Sequence, residues 1–197
     1  MQIKTIGIIG AGQMGNGIAH VGALAGRDMR LLDVEQEQLD KAMATIDRNM
    51  ERQVRRDLIS ADDKAAALAR IKTGLDYAMF GDCDLVIEAA TENEEVKRNI
   101  LKTLVPHLNK DALVATNTSS LSITRLGTVT DRPERFIGMH FMNPVPLMKL
   151  VELIRGLATN DETFQTIRKL SEDMGKTTAV SEDFPAFNVN RILLPTI

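Results

Sequence analysis

Two groups of residues in this chain have the types and spacing that chemistry needs. The first is a histidine and a glutamate. His140 closes the apolar run in "GMHFMNPVP" (138–146), and Glu152 stands inside "MKLVELI" (148–154), among Leu150, Val151, Leu153 and Ile154. A carboxylate buried in such a run is costly without a partner. If neighbouring strands bring the two together, the carboxylate fixes the imidazole in one tautomer, and the pair suits general-base work on an alcohol. The alternative is that Glu152 faces solvent. The second group is Gly10, Gly12 and Gly15 in "IGIIGAGQMGNGIAH" (6–20), where an apolar run turns into a helical pattern. Gly10 permits a tight turn, Gly12 lets a pyrophosphate approach the backbone, and Gly15 lets the helix pack on the strand. The helix N-terminus then offers free N–H groups to the phosphates. Asp33 ends the next apolar run, "RLLD", near the spacing expected of the acid that bonds the ribose hydroxyls. A carboxylate there repels a 2′-phosphate. Arg27 and Arg30 precede it, and neither follows it where a phosphate-binding arginine is expected, which favours NAD over NADP.

Such residues work only if a scaffold gathers them. Apolar, β-rich runs predict strands near 3–9, 29–33, 84–90, 112–117, 136–141, 150–154 and 177–181. Helical patterns predict helices near 13–26, 35–57, 61–70, 93–105, 121–127 and 161–174. The alternation implies an α/β fold, a Rossmann-like doubly wound and mostly parallel sheet covered on both faces. Segment 35–75 is too long for a simple crossover. Its stripe of Leu39, Met43, Ile46, Met50, Val54 and Leu58 reads as a helical excursion standing off the sheet. Residues 1–184 are expected to form the dinucleotide-binding domain. The ending, "EDFPAFNVNRILLPTI", opens a new helical pattern, so 185–197 read as the start of a truncated helical domain.

Composition narrows the classes. A net charge of −3 gives no bulk electrostatic case for nucleic acid or a membrane surface. No apolar run approaches the roughly 18 residues of a spanning helix. A single cysteine, Cys83, excludes an internal disulfide and suits a reducing compartment, with the cytoplasm as the expectation. No His/Cys cluster suggests a metal, and there is no G-x-S-x-G elbow. His20 and Cys83 read as packing residues, and His107, after Pro106, as a solvated turn residue.

The phrases "IGAGQMGNGIA", "DLVIEAATEN", "NTSSLSI", "HFMNPVPLMKLVELI" and "NVNRILLP" together resemble the L-3-hydroxyacyl-CoA dehydrogenases, especially the bacterial 3-hydroxybutyryl-CoA type. The resemblance implies hydride transfer between C3 of an acyl-CoA and NAD. It implies His140 as catalytic base, Glu152 as its partner carboxylate and Ser119 on the substrate oxygen. Asn190 would orient substrate and histidine. Gln13 and Met14 beside the glycines, with Glu92, Lys97, Asn117 and Asn143, would line the cofactor. Asp33 would bond the adenosine ribose, and Asn49 and Arg56 would meet CoA. For Arg56, with Arg48, Arg52 and Arg55, a solvated helix face is the alternative, and Lys97 has the same alternative. The family's C-terminal helical domain closes over substrate and forms a homodimer. The sequence departs from the family pattern at Ala186, where glycine is usual.

Two rival readings remain. One is another β-hydroxyacid dehydrogenase acting on a free acid or using NADP. The other is a nucleotide-binding fragment or structural protein without turnover.

Overall fold

The computed structural model describes residues 1–183 and Phe187. Eight strands, β1 (Thr5–Ile9), β2 (Asp28–Leu32), β3 (Ile71–Gly74), β4 (Leu85–Glu88), β5 (Leu113–Thr116), β6 (Phe136–Phe141), β7 (Leu150–Arg155) and β8 (Thr177–Glu182), form one sheet. Their order is β3-β2-β1-β4-β5-β6-β7-β8. The first six are parallel, β7 is antiparallel to β6, and β8 is parallel to β7. Strand order reverses between β1 and β4, which opens a crevice at the carboxyl ends where doubly wound sheets bind ligands.

Helices α1 (Gln13–Leu24), α2 (Gln36–Val54), α3 (Ala61–Ala69), α4 (Glu94–Leu104), α5 (Ile123–Gly127) and α6 (Asp161–Asp173) cover both faces. Side-chain alternation along each strand sorts the core into two layers. On one face Ile6, Ile8, Ile87, Ile137 and Met139 pack with Ile18 of α1, Leu39 and Ile46 of α2, and Ile167 and Leu170 of α6. On the other, Val86, Val114, Phe136 and Ile154 pack with Leu101 and Leu104 of α4 and with Ile123 and Leu126 of α5. The same alternation sends Glu88, Thr116, His140 and Glu152 to this second face, at or next to the crevice end of the sheet.

The 35–75 segment departs from expectation in two ways. It is not helical throughout, because Ile71–Gly74 return to the sheet as edge strand β3, paired in parallel with β2. Nor does its first helix stand off. Leu39, Ala42, Ile46 and Met50 of α2 are fully buried in the first core layer, while Leu58 is 66% exposed beyond the helix end. A four-residue strand in which Lys72 and Thr73 are exposed carries too weak an alternation to stand out beside the preceding helical pattern. Asn190, Ala186 and almost all of 185–197 lie outside the described residues.

Candidate active site

The glycine corner has the steric demands its spacing implies. Gly10 has φ +99°, and a Cβ there would meet the Ala89 carbonyl oxygen at 2.9 Å. A Cβ on Gly15 would lie 1.7 Å from the Gly10 carbonyl oxygen. At Gly12 a Cβ would meet nothing within 4 Å. The first two glycines are therefore required by the protein itself, and the third leaves an open cradle. Gly12 is also the N-cap of α1 and supplies no side-chain cap, so the first-turn N–H groups are presented to an anion. The Asp33 carboxylate accepts from Ala11 N at 2.7 Å and from Val34 N at 2.7 Å. It ties the loop to the end of β2 and keeps lone pairs for ribose hydroxyls. These residues fit a dinucleotide. Gln13 is exposed at the mouth of α1, whereas Met14 is half-buried against the core.

A groove of about 380 Å³ continues from this corner, lined by Gly12, Gln13, Asn49 of α2, and Asn143 and Val145 of the β6–β7 loop. Asn49 and Asn143 thus share one groove with the glycine loop. Arg56 is exposed beyond the end of α2 and does not line it. Arg48, Arg52 and Arg55 are exposed as well.

On the second face, antiparallel pairing places His140 directly opposite Glu152. The His140 Nδ1–Glu152 Oε2 distance is 2.8 Å, with Glu152 fully buried and His140 7% exposed. An ionised carboxylate only accepts, so Nδ1 carries the proton and Nε2 carries the lone pair. Glu152 does not face solvent. The Phe187 ring lies 6.1 Å from the imidazole, centroid to centroid. Asn117 Oδ1 accepts from Phe141 N at 2.9 Å, locking the end of β5 to the end of β6 beside His140.

Ser119 sits in the loop after β5, where Glu92 gathers its neighbours. Glu92 Oε1 accepts from Thr118 Oγ1 at 2.6 Å, Ser119 N at 2.8 Å, Ser119 Oγ at 3.0 Å and Ser120 Oγ at 3.1 Å. Partial burial raises the Glu92 pKa, but the bonds from Thr118 and Ser119 and the charge of Lys97 outweigh it and hold the carboxyl below its ordinary value. Lys97 is not on a solvated face. It is 1% exposed and sits astride Glu88, with Nζ 2.8 Å from each carboxylate oxygen and 3.7 Å from Glu92. The N-cap bond from Val96 N to Asn93 starts α4 at the residue that brings Lys97 inward. Glu88, which also accepts from Thr116 Oγ1 at 2.6 Å and Ala90 N at 2.8 Å, escaped the sequence reading. Its signal was there, since "DLVIEAA" sets an acid in an apolar run just as "MKLVELI" does.

The remaining polar candidates are structural. His20 is buried and bonds Gln53 at 2.9 Å. Cys83 is fully buried, and burial pushes its thiol up to about 12. His107 is exposed. No helix among the described residues is long and apolar enough to cross a membrane.

Comparison with known proteins identifies the family. Residues 5–184 match the family model described as 3-hydroxyacyl-CoA dehydrogenase, NAD binding domain. A 3-hydroxybutyryl-CoA dehydrogenase of Bradyrhizobium diazoefficiens is 59% identical over 195 residues, covering 99% of this chain and 67% of that protein. The crystal structure of (S)-3-hydroxybutyryl-CoA dehydrogenase from Ralstonia eutropha superposes with a TM-score of 0.97 at 46% identity, covering 99% of this chain and 69% of that one. A fatty acid oxidation complex subunit alpha of Psychrobacter is 42% identical over 98% of this chain, which spans 27% of that protein. With a glycine corner that fits NAD and a buried histidine–glutamate pair on β6 and β7 of the same sheet, the chain belongs to the 3-hydroxyacyl-CoA dehydrogenase family of NAD-dependent oxidoreductases.

Proposed function

We propose that this chain carries the catalytic half-site for interconverting (S)-3-hydroxybutyryl-CoA and acetoacetyl-CoA, with His140 as general acid and base. The observation that supports it most directly is the 2.8 Å bond between His140 Nδ1 and buried Glu152. That bond commits Nδ1 to donation and leaves Nε2 to handle the substrate proton. The Gly12 cradle at the start of α1 and the Asp33 carboxylate would hold NAD, which would supply the hydride chemistry, as acceptor in oxidation and donor in reduction. As the hydride leaves C3, Nε2 takes the hydroxyl proton and the C3–O bond becomes a carbonyl. In reduction the same nitrogen returns the proton to the C3 oxygen. Glu152 stabilises the imidazolium formed in between. Ser119 can turn its hydroxyl from Glu92 to the C3 oxygen at small cost, because Thr118, Ser120 and the Ser119 N–H still serve that carboxylate. Asn117 keeps the ends of β5 and β6 in register, so the serine loop and the histidine hold their spacing. Asn143 and Asn49 line the approach for cofactor and acyl-CoA. Asn190 and Arg56 are proposed on the family pattern alone. The same pattern supports a homodimer for the longer protein, and the single cysteine, Cys83, suits a cytoplasmic location.

The test is acetoacetyl-CoA-dependent NADH oxidation by the purified chain and by His140→Ala. Removing a general base lowers turnover by about 10²–10⁴-fold, while NADH affinity, read by fluorescence titration, should stay within a few-fold of the parent. Loss of NADH binding in H140A, or turnover equal to the parent, contradicts the assignment. A chain that binds NADH without turning over would favour the nucleotide-binding reading for this length of protein.

A further inference from the structure

We propose that Lys176 is a positioning residue for the dehydrogenase reaction, clamping the β6–β7 loop so that Asn143 faces the glycine corner. This rests on the reading that NAD lies across that corner. The loop, residues 142–149, leaves the sheet two residues after His140 and returns to it at β7, which carries Glu152. It contains no regular element. Its internal bonds are those from Leu147 N and Met148 N to the Pro144 carbonyl, both 3.0 Å.

Thr177 N donates to the Lys149 carbonyl at 2.8 Å where the loop rejoins the sheet, and two further outside contacts hold its middle. The first comes from α1, where Gly17 allows the close approach: a Cβ there would stand 2.8 Å from Val145 Cβ. The second comes from Lys176, 8% exposed, whose Nζ donates to the Val145 carbonyl and, at 2.8 Å, to the Met148 carbonyl. The loop is thus held at Val145 by both the dinucleotide helix and an ammonium. The chain places that ammonium with some care. Gly175, at φ +73°, ends α6 with bonds from Gly175 N to Glu172 O and from Lys176 N to Ser171 O, a left-handed C-terminal closure that turns the next side chain inward.

Among the described residues no carboxylate pairs with Lys176, so its charge serves main-chain oxygens alone. Burial depresses its pKa, the mark of an ammonium held against its solvation. Charge-assisted donors are roughly twice as strong as neutral ones, which suits one side chain fixing two points of an irregular loop.

A double-mutant cycle tests the proposal, with NADH affinity measured by fluorescence. Lys176→Met should weaken NADH about ten-fold, and Gly17→Ala should also weaken it by displacing Val145. Because both act through the same loop, the double variant should fall within about three-fold of the weaker single variant. Lys176→Arg, which keeps the donors, should recover most of the affinity. Unchanged NADH affinity in K176M, or losses that multiply in the double variant, would overturn the proposal. If K176M does not fold, Lys176→Gln takes its place in the cycle. Amide exchange separates the two readings. Unchanged exchange at Leu147 and Met148 in K176M overturns the clamp whatever NADH does. A parent chain that does not bind NADH overturns the cofactor reading and leaves the exchange result standing.

Discussion

At the residue scale, the three corner glycines do different work, and the structure separates them. Gly12 has φ −61°, which any residue adopts, and space around its missing Cβ. Gly15 has no such room, since its Cβ would run into the Gly10 carbonyl at 1.7 Å. Gly12→Ala should therefore leave stability within about 0.5 kcal/mol of the parent, as for an ordinary surface change. Its methyl group would occupy the cradle, so NADH affinity should fall by an order of magnitude or more, about 1.4 kcal/mol per decade. Gly15→Ala should lose several kcal/mol, in the range of roughly 1–3 for overpacking or above, and binding would fail with the fold. Urea melts and NADH titrations on the two variants check this. A G12A protein that binds NADH normally would show that the cradle is not where the pyrophosphate lies.

At the element scale, what was legible in the sequence follows from which signals are local. Periodicity located the helices, and the alternation of strands with helices implied the doubly wound sheet. The reading missed β3 because Ile71 is its one fully apolar, buried position and the strand earns its place only by pairing with β2. For the site, the acid in an apolar strand pointed to Glu152, and the antiparallel return of β7 supplied His140 as partner. Glu88 was overlooked although it stands in an apolar run as Glu152 does, and Lys176 stayed hidden because its partners are main-chain oxygens of the Val145–Met148 loop. His20 shows how elements also create a pH dependence. On α1, facing Gln53 in the last turn of α2, it is buried with Nδ1 unbonded. Burial chiefly, with the charge of Lys176, holds its pKa below 6.5, against the opposing bond to Gln53. The unfolded chain therefore takes up a proton as pH falls through 6.5 while the folded chain does not. Stability is full above that pH and drains as pH falls toward the folded value. His20→Gln should reduce the drop in urea midpoint between about pH 7.5 and 5.5. An equal drop in both proteins would assign the pH dependence elsewhere.

At the scale of the whole molecule, the crevice is held open by charge buried under it. Glu88 and Lys97, 0% and 1% exposed, join β4 to α4. Thr116 brings in β5, and Glu92, 3.7 Å from Lys97, carries the connection to the serine loop. The order of strengths matters here. With Glu88 present, the ammonium is satisfied by two 2.8 Å bonds, and Glu92 is left to gather Thr118, Ser119 and Ser120. With Glu88→Gln, the lysine would be short of a counter-charge, and the nearest carboxylate is Glu92. Breaking a buried pair on one side costs about 3–5 kcal/mol, because a charge is stranded. Removing both charges, as Glu88→Gln with Lys97→Met, strands none and should cost less than either single change. Urea denaturation of the three variants measures this directly. The single Glu88→Gln variant should also lose turnover beyond its loss of stability, since Lys97 would draw Glu92 away from Ser119. The double variant should regain part of that turnover. If both single variants are as stable as the parent, or the double is the least stable of the three, the buried pair does not hold the crevice in the way its geometry implies.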